Sequence, residues 1–384
     1  MKNETLIKKA RASLLNARLN QPFKIATGAH NSLENVLFEI ELADGTRGFG
    51  EAAPASHITG ETQKKTLANL QGTAKMLEGL SACDYLEISR ACATGLSDNR
   101  CAATAVEAAL LDALSKHLKM PMYKFFGPKP RILATDMTIV LGTAEEAEIC
   151  GRAIAKRGIK SFKIKLNGDI SLDFARTLAV AESAPRNPVR LDANQAYPPA
   201  KMMELVRELK KAKVQLELIE QPVPKDDWEG LREVSRKCGV CVCADEALAG
   251  MEDIVRLIKG GYAQAANIKT AKFGFILGAE MARLCVSNGI KLMIGGMMES
   301  LLAMTASAHL AAGVGGFDFV DLDTPFFIKD NIMRGGVLSN SGVYDLSKVK
   351  SGLGVTPCNY GIKKTPGAFA GTVHGVQMAK KSRI

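Results

Sequence analysis

Charged residues recur along the middle of the chain at nearly constant spacing, each at the end of a short apolar segment. Steps of 24 to 28 residues separate five of them: Lys165, Asp192, Glu220, Asp245 and Lys269. Helix-like segments such as 201–213 and 275–288 lie between the apolar runs. One strand, one helix and two short loops need about that many residues, so each step predicts one βα unit.

The same rhythm extends beyond these five residues. Further β-prone runs end at Gly295 and Asp321, each 26 residues after the preceding strand end, and a first strand is expected over 131–140. The count of seven or eight strands predicts a TIM-type barrel that is modified where it closes. Because strand ends converge on one face of such a barrel, three carboxylates and two lysines would share a single pocket.

Residues before the barrel predict a separate layer. Two β-prone runs, 36–42 and 46–50, flank the turn Ala43-Asp-Gly45, and 61–120 read as helical. In that helical part Ala105, Ala109 and Ala113 form a small-residue stripe, which predicts close helix packing. Proline and glycine between 121 and 130 mark a boundary.

These features divide the chain into two expected domains. We predict an α+β capping domain over residues 1–125 and a barrel catalytic domain over 126–325. The segment 326–384 is expected to return and pack on the capping domain.

Composition narrows the class of protein. The formal charge is +10 over 384 residues, but the basic residues are dispersed and do not alternate with aromatic ones, so we expect no nucleic-acid partner. No window approaches the roughly 18 apolar residues of a membrane helix, and no signal-peptide core is seen, so we expect no membrane contact and a cytoplasmic protein. The nine cysteines, including Cys238 and Cys241 of a CxxC, fit reduced, buried thiols better than disulfides or zinc.

Three of the strand-end residues offer hard oxygen ligands. Asp192, Glu220 and Asp245 would end three successive strands, and carboxylates in register suit Mg2+, which also tolerates bound water and substrate oxygens. Each carboxylate alone could instead cap the helix that follows it. Three together predict one Mg2+ per active site.

The lysines suggest proton transfer. In Lys163-Ile-Lys165 the strand period of two points both side chains into the barrel. A neighbouring ammonium and a divalent cation both disfavour protonation, so we expect the pKa of one lysine to fall from about 10.4 toward neutrality, which makes Lys165 a usable base. Lys269 would approach from the opposite wall. Anion binding is the alternative role for these lysines.

Five motifs at the strand ends resemble those of the muconate lactonizing subgroup of the enolase superfamily. The matching segments are Lys163-Ile-Lys165, Leu191-Asp-Ala-Asn194, Ile219-Glu-Gln-Pro222, Ala244-Asp-Glu246 and Asn267-Ile-Lys269. The resemblance covers nearly the whole chain and implies a (β/α)7β barrel with an N-terminal α+β capping domain. It also implies roles: Mg2+ ligation by Asp192, Glu220 and Asp245, an acid/base pair of Lys165 and Lys269, and contact of Lys163 with the substrate carboxylate.

The motif Asp321-Leu-Asp323 points to one activity within the subgroup. It resembles the Asp-x-Asp of dipeptide epimerases, which holds the free α-ammonium of the N-terminal residue, and two carboxylates there would attract a cation. A solvated acidic turn before Pro325 is the alternative. The resemblance therefore implies an isomerase that epimerises the α-carbon of the C-terminal residue of an L,L-dipeptide, of the L-Ala-L-Glu type or related, by 1,1-proton transfer through an enediolate.

Four further positions match substrate-lining residues of the subgroup: Lys24, Thr135, Gly295 and Met297. Lys24 lies where Ala-Glu epimerases carry arginine, which favours an acidic second side chain. The apolar content of the loop at His57 would instead favour hydrophobic dipeptides.

Other functions remain to be separated from this one. An N-acylamino acid racemase or o-succinylbenzoate synthase would share the fold and the lysine pair. A sugar-acid dehydratase usually carries a histidine at a late strand end, where this chain has Lys269 and Gly295. A non-catalytic metal scaffold would have no use for two buried amines. The expected partner is a small dipeptide, and a homo-oligomer is compatible with the helical exterior of such a barrel.

Overall fold

The computed structural model describes residues 4–26, 28–56 and 58–358. Within these ranges no helix has the length and apolar character that crossing a bilayer requires.

An antiparallel sheet forms the N-terminal layer. Its strands β1 (Ile7–Ile25), β2 (Gly28–Leu42) and β3 (Arg47–Ala52) pair in that order, and the turn predicted at Ala43–Gly45 joins the last two. Helices α1 (Gln63–Leu77), α2 (Tyr85–Gly95) and α3 (Arg100–His117) follow.

Close contact between α3 and β3 explains the alanine stripe. A Cβ atom on Gly50 would clash with the carbonyl oxygen of Ala105, and one on Gly48 would clash with that of Ala109. The stripe and the glycines therefore bring helix and strand backbones into direct contact.

Eight parallel strands form the second layer as one curled sheet, in which strands that follow one another along the chain are hydrogen-bonded neighbours. In chain order its elements are β5 (Met137–Ile139), α4 (Ala144–Lys156), β6 (Phe162–Lys165), α5 (Ile170–Ser183), β7 (Val189–Asp192), α6 (Pro199–Lys211), β8 (Leu216–Glu220), α7 (Trp228–Lys237), β9 (Cys241–Ala244), α8 (Met251–Gly260), β10 (Ala265–Lys269), α9 (Thr270–Phe273), α10 (Ile276–Ser287), β11 (Lys291–Gly295), α11 (Leu301–Val314) and β12 (Phe317–Val320). The curl brings the sheet ends together, where the Asp136 amide donates to the Val320 carbonyl at 3.1 Å.

The strand expected over 131–140 differs from the structure. Only β5 joins the parallel sheet, whereas β4 (Ile132–Ala134) pairs antiparallel with β14 (Val343–Asp345). The chain leaves β4 because the Thr135 amide donates to Gly342 and the Asp136 amide turns to Val320. The expected strand is therefore two short strands in different sheets.

The described part of the C-terminal segment contacts the N-terminal layer. Strands β13 (Met333–Gly335) and β15 (Val355–Pro357) pair with each other. Arg18 and Asp330 form an ion pair of 2.6 Å, and the Leu353 amide donates to Asp112 of α3 at 2.9 Å. The domain limits stay a prediction, and the segment beyond residue 358 lies outside the described residues.

Candidate active site

Neighbouring strands bring their terminal charged residues into register. Lys165 of β6 pairs with Asp192 of β7, and Asp192 pairs with Glu220 of β8. Asp245 directly follows β9, and Lys269 ends β10. All five residues are buried. The row predicted from sequence spacing is thus one cluster at one end of the barrel.

Asp192, Glu220 and Asp245 do not cap the helices that follow their strands. The cap positions of the helices that follow β7, β8 and β9 are Pro198, Asp227 and Gly250. The alternative that each carboxylate simply caps the following helix is therefore not met in this structure.

Ammonium groups lie between the carboxylates. Lys163 Nζ is 2.9 Å from Asp192 Oδ2 and 2.7 Å from Glu220 Oε2, and Lys165 Nζ is 2.6 Å from Asp192 Oδ2. On the other flank Lys269 Nζ lies 2.7 Å from Asp245 Oδ2. Each lysine is therefore held by a carboxylate that ends a nearby strand.

These ion pairs shift the pKa values of two of the lysines. Burial alone would lower the pKa of Lys163, but the carboxylates around it, led by Asp192 and Asp321, raise that pKa well above its ordinary value. For Lys269 burial also acts downward, and the Asp245 carboxylate raises the pKa above its usual range. At these two lysines the carboxylates therefore outweigh the lowering of the pKa that was expected from a neighbouring ammonium.

Glu220 differs from the other two carboxylates. Burial and then the Asp192 charge raise the pKa of Glu220 to about 8. Its Oε1 accepts from Asn267 Nδ2 at 2.8 Å, whereas its buried Oε2 has no hydrogen-bond partner and meets Lys163 outside hydrogen-bonding geometry. A buried carboxylate oxygen that accepts no hydrogen bond and lies beside two more carboxylates fits a divalent cation such as Mg2+.

A second acidic group lies where the two ends of the sheet meet. Among the described residues it is the one set of three ligand-type side chains that brings one oxygen from each within 4.8 Å of the others: Asp136, Asp321 and Asp323. Asp321 is 2.6 Å from Lys163 Nζ, Asp136 is 2.9 Å from an Arg190 nitrogen, and Asp323 accepts from the Thr138 amide at 2.6 Å.

Burial favours the neutral form of two acids in this group. Burial and then the Asp321 charge raise the pKa of Asp323 to about 7 and that of Asp136 well above its ordinary value. Asp321 is the exception, because Lys163 and Lys165 outweigh burial and lower its pKa. Asp321 and Asp323 face the cavity described next.

A small cavity of about 50 Å3 joins the two clusters. Both layers line it, and its walls comprise Phe23, Ile25, His30, Ala55, Ile58, Thr138, Lys163, Lys165, Asn194, Lys269, Gly296, Met297, Met298, Asp321, Asp323 and Thr324. The lysines and the Asp-x-Asp therefore open onto the same space, with apolar side chains of the N-terminal layer above them.

Of the other expected substrate-lining residues, Met297 lines this cavity and three do not. Lys24 is exposed and alternates with the inward Phe23 and Ile25. Thr135 is buried, and its hydroxyl accepts from the Leu322 amide. Gly295 lies against Asn267, where a Cβ would be 2.7 Å from the side-chain nitrogen.

Several residues that line the cavity were not predicted from the sequence. Thr138 lies three residues after Thr135 in the expected first strand, where a period of two would place it on the opposite face, so the strand pattern gave no signal for it. Asn194 is in a quoted motif, and its Oδ1 accepts from Lys165 Nζ at 3.3 Å while its Nδ2 donates to Glu246 at 3.2 Å. His57 lies outside the described residues.

Two family descriptions match the chain. The enolase C-terminal domain-like family matches residues 145–360. The N-terminal domain of mandelate racemase and muconate lactonizing enzymes matches residues 9–127. Together they cover both layers of the structure.

Named relatives match over almost the full length. A hydrophobic dipeptide epimerase from Citrifermentans bemidjiense is 44% identical over 91% of this chain and 98% of that protein. An aromatic dipeptide epimerase from Herpetosiphon aurantiacus is 40% identical over 90% of this chain and 97% of that protein. A solved dipeptide epimerase from Enterococcus faecalis, complexed with Mg and L-Leu-L-Tyr, is 30% identical with a TM-score of 0.87, covering 91% of this chain and 99% of that chain.

Proposed function

Since the chain belongs to the mandelate racemase and muconate lactonizing enzyme family of the enolase superfamily, we propose that it is a Mg2+-dependent dipeptide epimerase. Like its dipeptide epimerase relatives, the chain is an isomerase. The reaction proposed for it inverts the α-carbon of the C-terminal residue of an L,L-dipeptide and gives the L,D product.

One observation carries this proposal. A single cavity joins Lys165 and Lys269, which come from strands on opposite sides of the carboxylate row, to the separate carboxylates of Asp321 and Asp323. A dipeptide has the matching groups in the matching order, because its carboxylate and its α-ammonium lie at opposite ends with the reacting carbon between them.

The chain's own residues divide the chemistry as follows. One of Lys165 and Lys269 accepts the α-proton of the C-terminal residue, and the other returns a proton to the opposite face of the resulting enediolate. Asp321 and Asp323 hold the α-ammonium. When bound by Asp192, Glu220 and Asp245, Mg2+ supplies positive charge against the charge that develops on the substrate carboxylate oxygens.

The lining of the cavity favours an apolar C-terminal side chain over an acidic one. Phe23, Ile25 and Ile58 face the cavity, whereas the one cation expected to pair with an acidic substrate, Lys24, is exposed on the other side of β1. The hydrophobic and aromatic dipeptide epimerases that the chain resembles act on substrates of that kind by name. We therefore propose a hydrophobic or aromatic residue at the epimerised position, in place of the acidic residue expected from sequence.

A panel of L,L-dipeptides in deuterated water with Mg2+ tests the function. We expect L-Ala-L-Phe and L-Leu-L-Tyr to gain one mass unit and form the L,D epimer faster than L-Ala-L-Glu does. N-acetyl-L-phenylalanine is the control, since it lacks the ammonium. Faster turnover of the acylated amino acid would favour the N-acylamino acid racemase instead.

The Asp323→Asn variant extends this test. Because the carboxylate is proposed to bind the substrate ammonium, the substitution should raise KM for dipeptides by about tenfold or more. Unchanged dipeptide turnover would remove Asp323 from the ammonium site.

The location in the cell is also a proposal. All nine cysteines are free thiols, and five of them are buried. Reduced thiols are typical of a reducing compartment, so we propose a cytoplasmic protein that acts on small dipeptides.

A further inference from the structure

The segment that follows β11 forms one wall of the cavity. Gly296, Met297 and Met298 line it, and the segment ends at Ser300, which caps α11. Because Asp323 belongs to the adjacent strand end, this wall flanks the part of the cavity proposed to hold the N-terminal residue of the substrate.

A buried carboxylate of the other layer holds this segment. Glu51 of β3, only 2% exposed, accepts from the Ser300 amide at 2.9 Å and also from the Ser300 hydroxyl. Asn35 of β2 donates to Glu51 at 2.6 Å and to the Met298 carbonyl at 2.9 Å. Two residues of the capping layer thus fix both the end and the middle of the wall.

The opposite side of the segment is tied to the Asp-x-Asp loop. The Thr324 hydroxyl donates to the Glu299 carbonyl at 2.7 Å, and Thr324 itself lines the cavity next to Asp323. The wall is therefore held between the ammonium-binding loop on one side and Glu51 on the other.

We propose that Glu51, which does not line the cavity, is a positioning residue that sets the position of Met297 and Met298 and thereby selects the N-terminal side chain of the substrate. The inference rests on the proposed dipeptide epimerase function. Glu51 is suited to the task because its two carboxyl oxygens accept three hydrogen bonds, whereas a glutamine side chain offers a single acceptor oxygen.

Kinetics on substrates that differ only at the N-terminal residue test the role. For Glu51→Gln we expect the ratio of kcat/KM between L-Ala-L-Phe and L-Leu-L-Phe to change by about tenfold, the size of effect that one misfitted methylene group has on discrimination. An equal loss for both substrates would show a merely structural role and overturn the proposal.

A double-mutant cycle checks the route of the effect. If Glu51 acts through Ser300, the variant that combines Glu51→Gln with Ser300→Ala should shift the ratio no further than either single change does. Additive shifts would overturn this route. Glu39→Gln is the matched control, because Glu39 is also a buried carboxylate of the capping sheet but pairs with Arg11 and Arg47 of the same sheet.

Hydrogen exchange measured by mass spectrometry needs no substrate. Amides of residues 296–300 should exchange faster in Glu51→Gln than in the wild type and in Glu39→Gln, while β6 to β8 stay protected. Unchanged exchange in that segment would overturn the proposal. If the wild type turned over no dipeptide, the proposed function would fail, and this measurement would still decide whether Glu51 holds the wall.

Discussion

At the scale of single residues, two acidic groups compete as the cation site. Glu220 has a buried oxygen without a hydrogen-bond partner, and so does Asp136 of the second group. Asp136, however, is paired with Arg190 behind the cavity wall, whereas Glu220 lies among the strand-end carboxylates beside the lysines. We therefore propose that the group of Glu220, and not that of Asp136, binds the metal.

Metal affinity separates the two groups. We expect Glu220→Gln to weaken Mg2+ binding by about tenfold or more, measured by calorimetry without substrate, because it removes a ligand. Asp136→Asn, the matched control, should leave the affinity within about twofold. A loss of Mg2+ binding in Asp136→Asn alone would move the metal to the second group.

His309 gives a prediction about stability. It is buried in α11, where its Nδ1 accepts from the Tyr123 amide at 3.0 Å and its Nε2 lies 3.2 Å from the Leu353 carbonyl. Burial lowers the pKa of this imidazole from 6.5 to about 4. The residue therefore has a structural role as a neutral ring with both nitrogens in use.

The lowered pKa has a definite consequence. The unfolded chain takes up a proton at this residue below pH 6.5 and the folded chain only near pH 4, so stability from His309 is complete above 6.5 and is lost as pH falls toward 4. The loss should amount to about 3 kcal/mol. Denaturant unfolding of wild type and His309→Gln across this range measures it, and a stability difference that stays constant with pH would contradict the account.

At the scale of elements, the contact of α3 with β3 supports the whole capping layer. An added Cβ on Gly50 meets a backbone carbonyl, which cannot move aside as a side chain could. Gly50→Ala should therefore lower the free energy of unfolding by roughly 1–3 kcal/mol or more. Gly250→Ala is the control, since a Cβ there meets nothing within 4 Å; equal effects of the two substitutions would contradict close packing.

The elements that could be predicted from the sequence are those marked by a regular spacing of residues. The steps between strand ends predicted parallel strands with their charged residues side by side, and register does align Lys165, Asp192 and Glu220. The alanine stripe likewise predicted a close helix contact, although not its partner strand. Regular spacing suffices for these features because each βα unit repeats the same geometry.

Features set by irregular backbone could not be read from the sequence. The pairing of β1 with β2 shifts register between Arg18 and Phe23, and this shift was not predicted. The shift does not change the alternation of β1, since Leu15, Ala17 and Leu19 before it and Phe23 and Ile25 after it are buried, while Lys24 is exposed. The turn at Asp136 splits the expected first strand. It depends on hydrogen bonds to Gly342 and Val320, which are far away in the sequence.

At the scale of the whole molecule, the site needs both layers. The barrel supplies the lysines and carboxylates, and the capping layer supplies Phe23, Ile25 and Ile58 above them. The charge environment also follows from assembly, because Lys163 is surrounded by carboxylates from three other strand ends that sequence reasoning did not combine. The division into domains at residue 125 stays a prediction.

The central claim is that two lysines reach opposite faces of one carbon. Exchange in deuterated water with Lys165→Ala and Lys269→Ala, starting separately from the L,L and L,D epimers, tests it most directly, with Lys348→Ala as an exposed control. We predict that neither active-site variant interconverts the epimers and that each exchanges the α-hydrogen of one epimer only, a different one for each variant. Exchange of the same epimer by both variants, or continued epimerisation by either, would contradict the account.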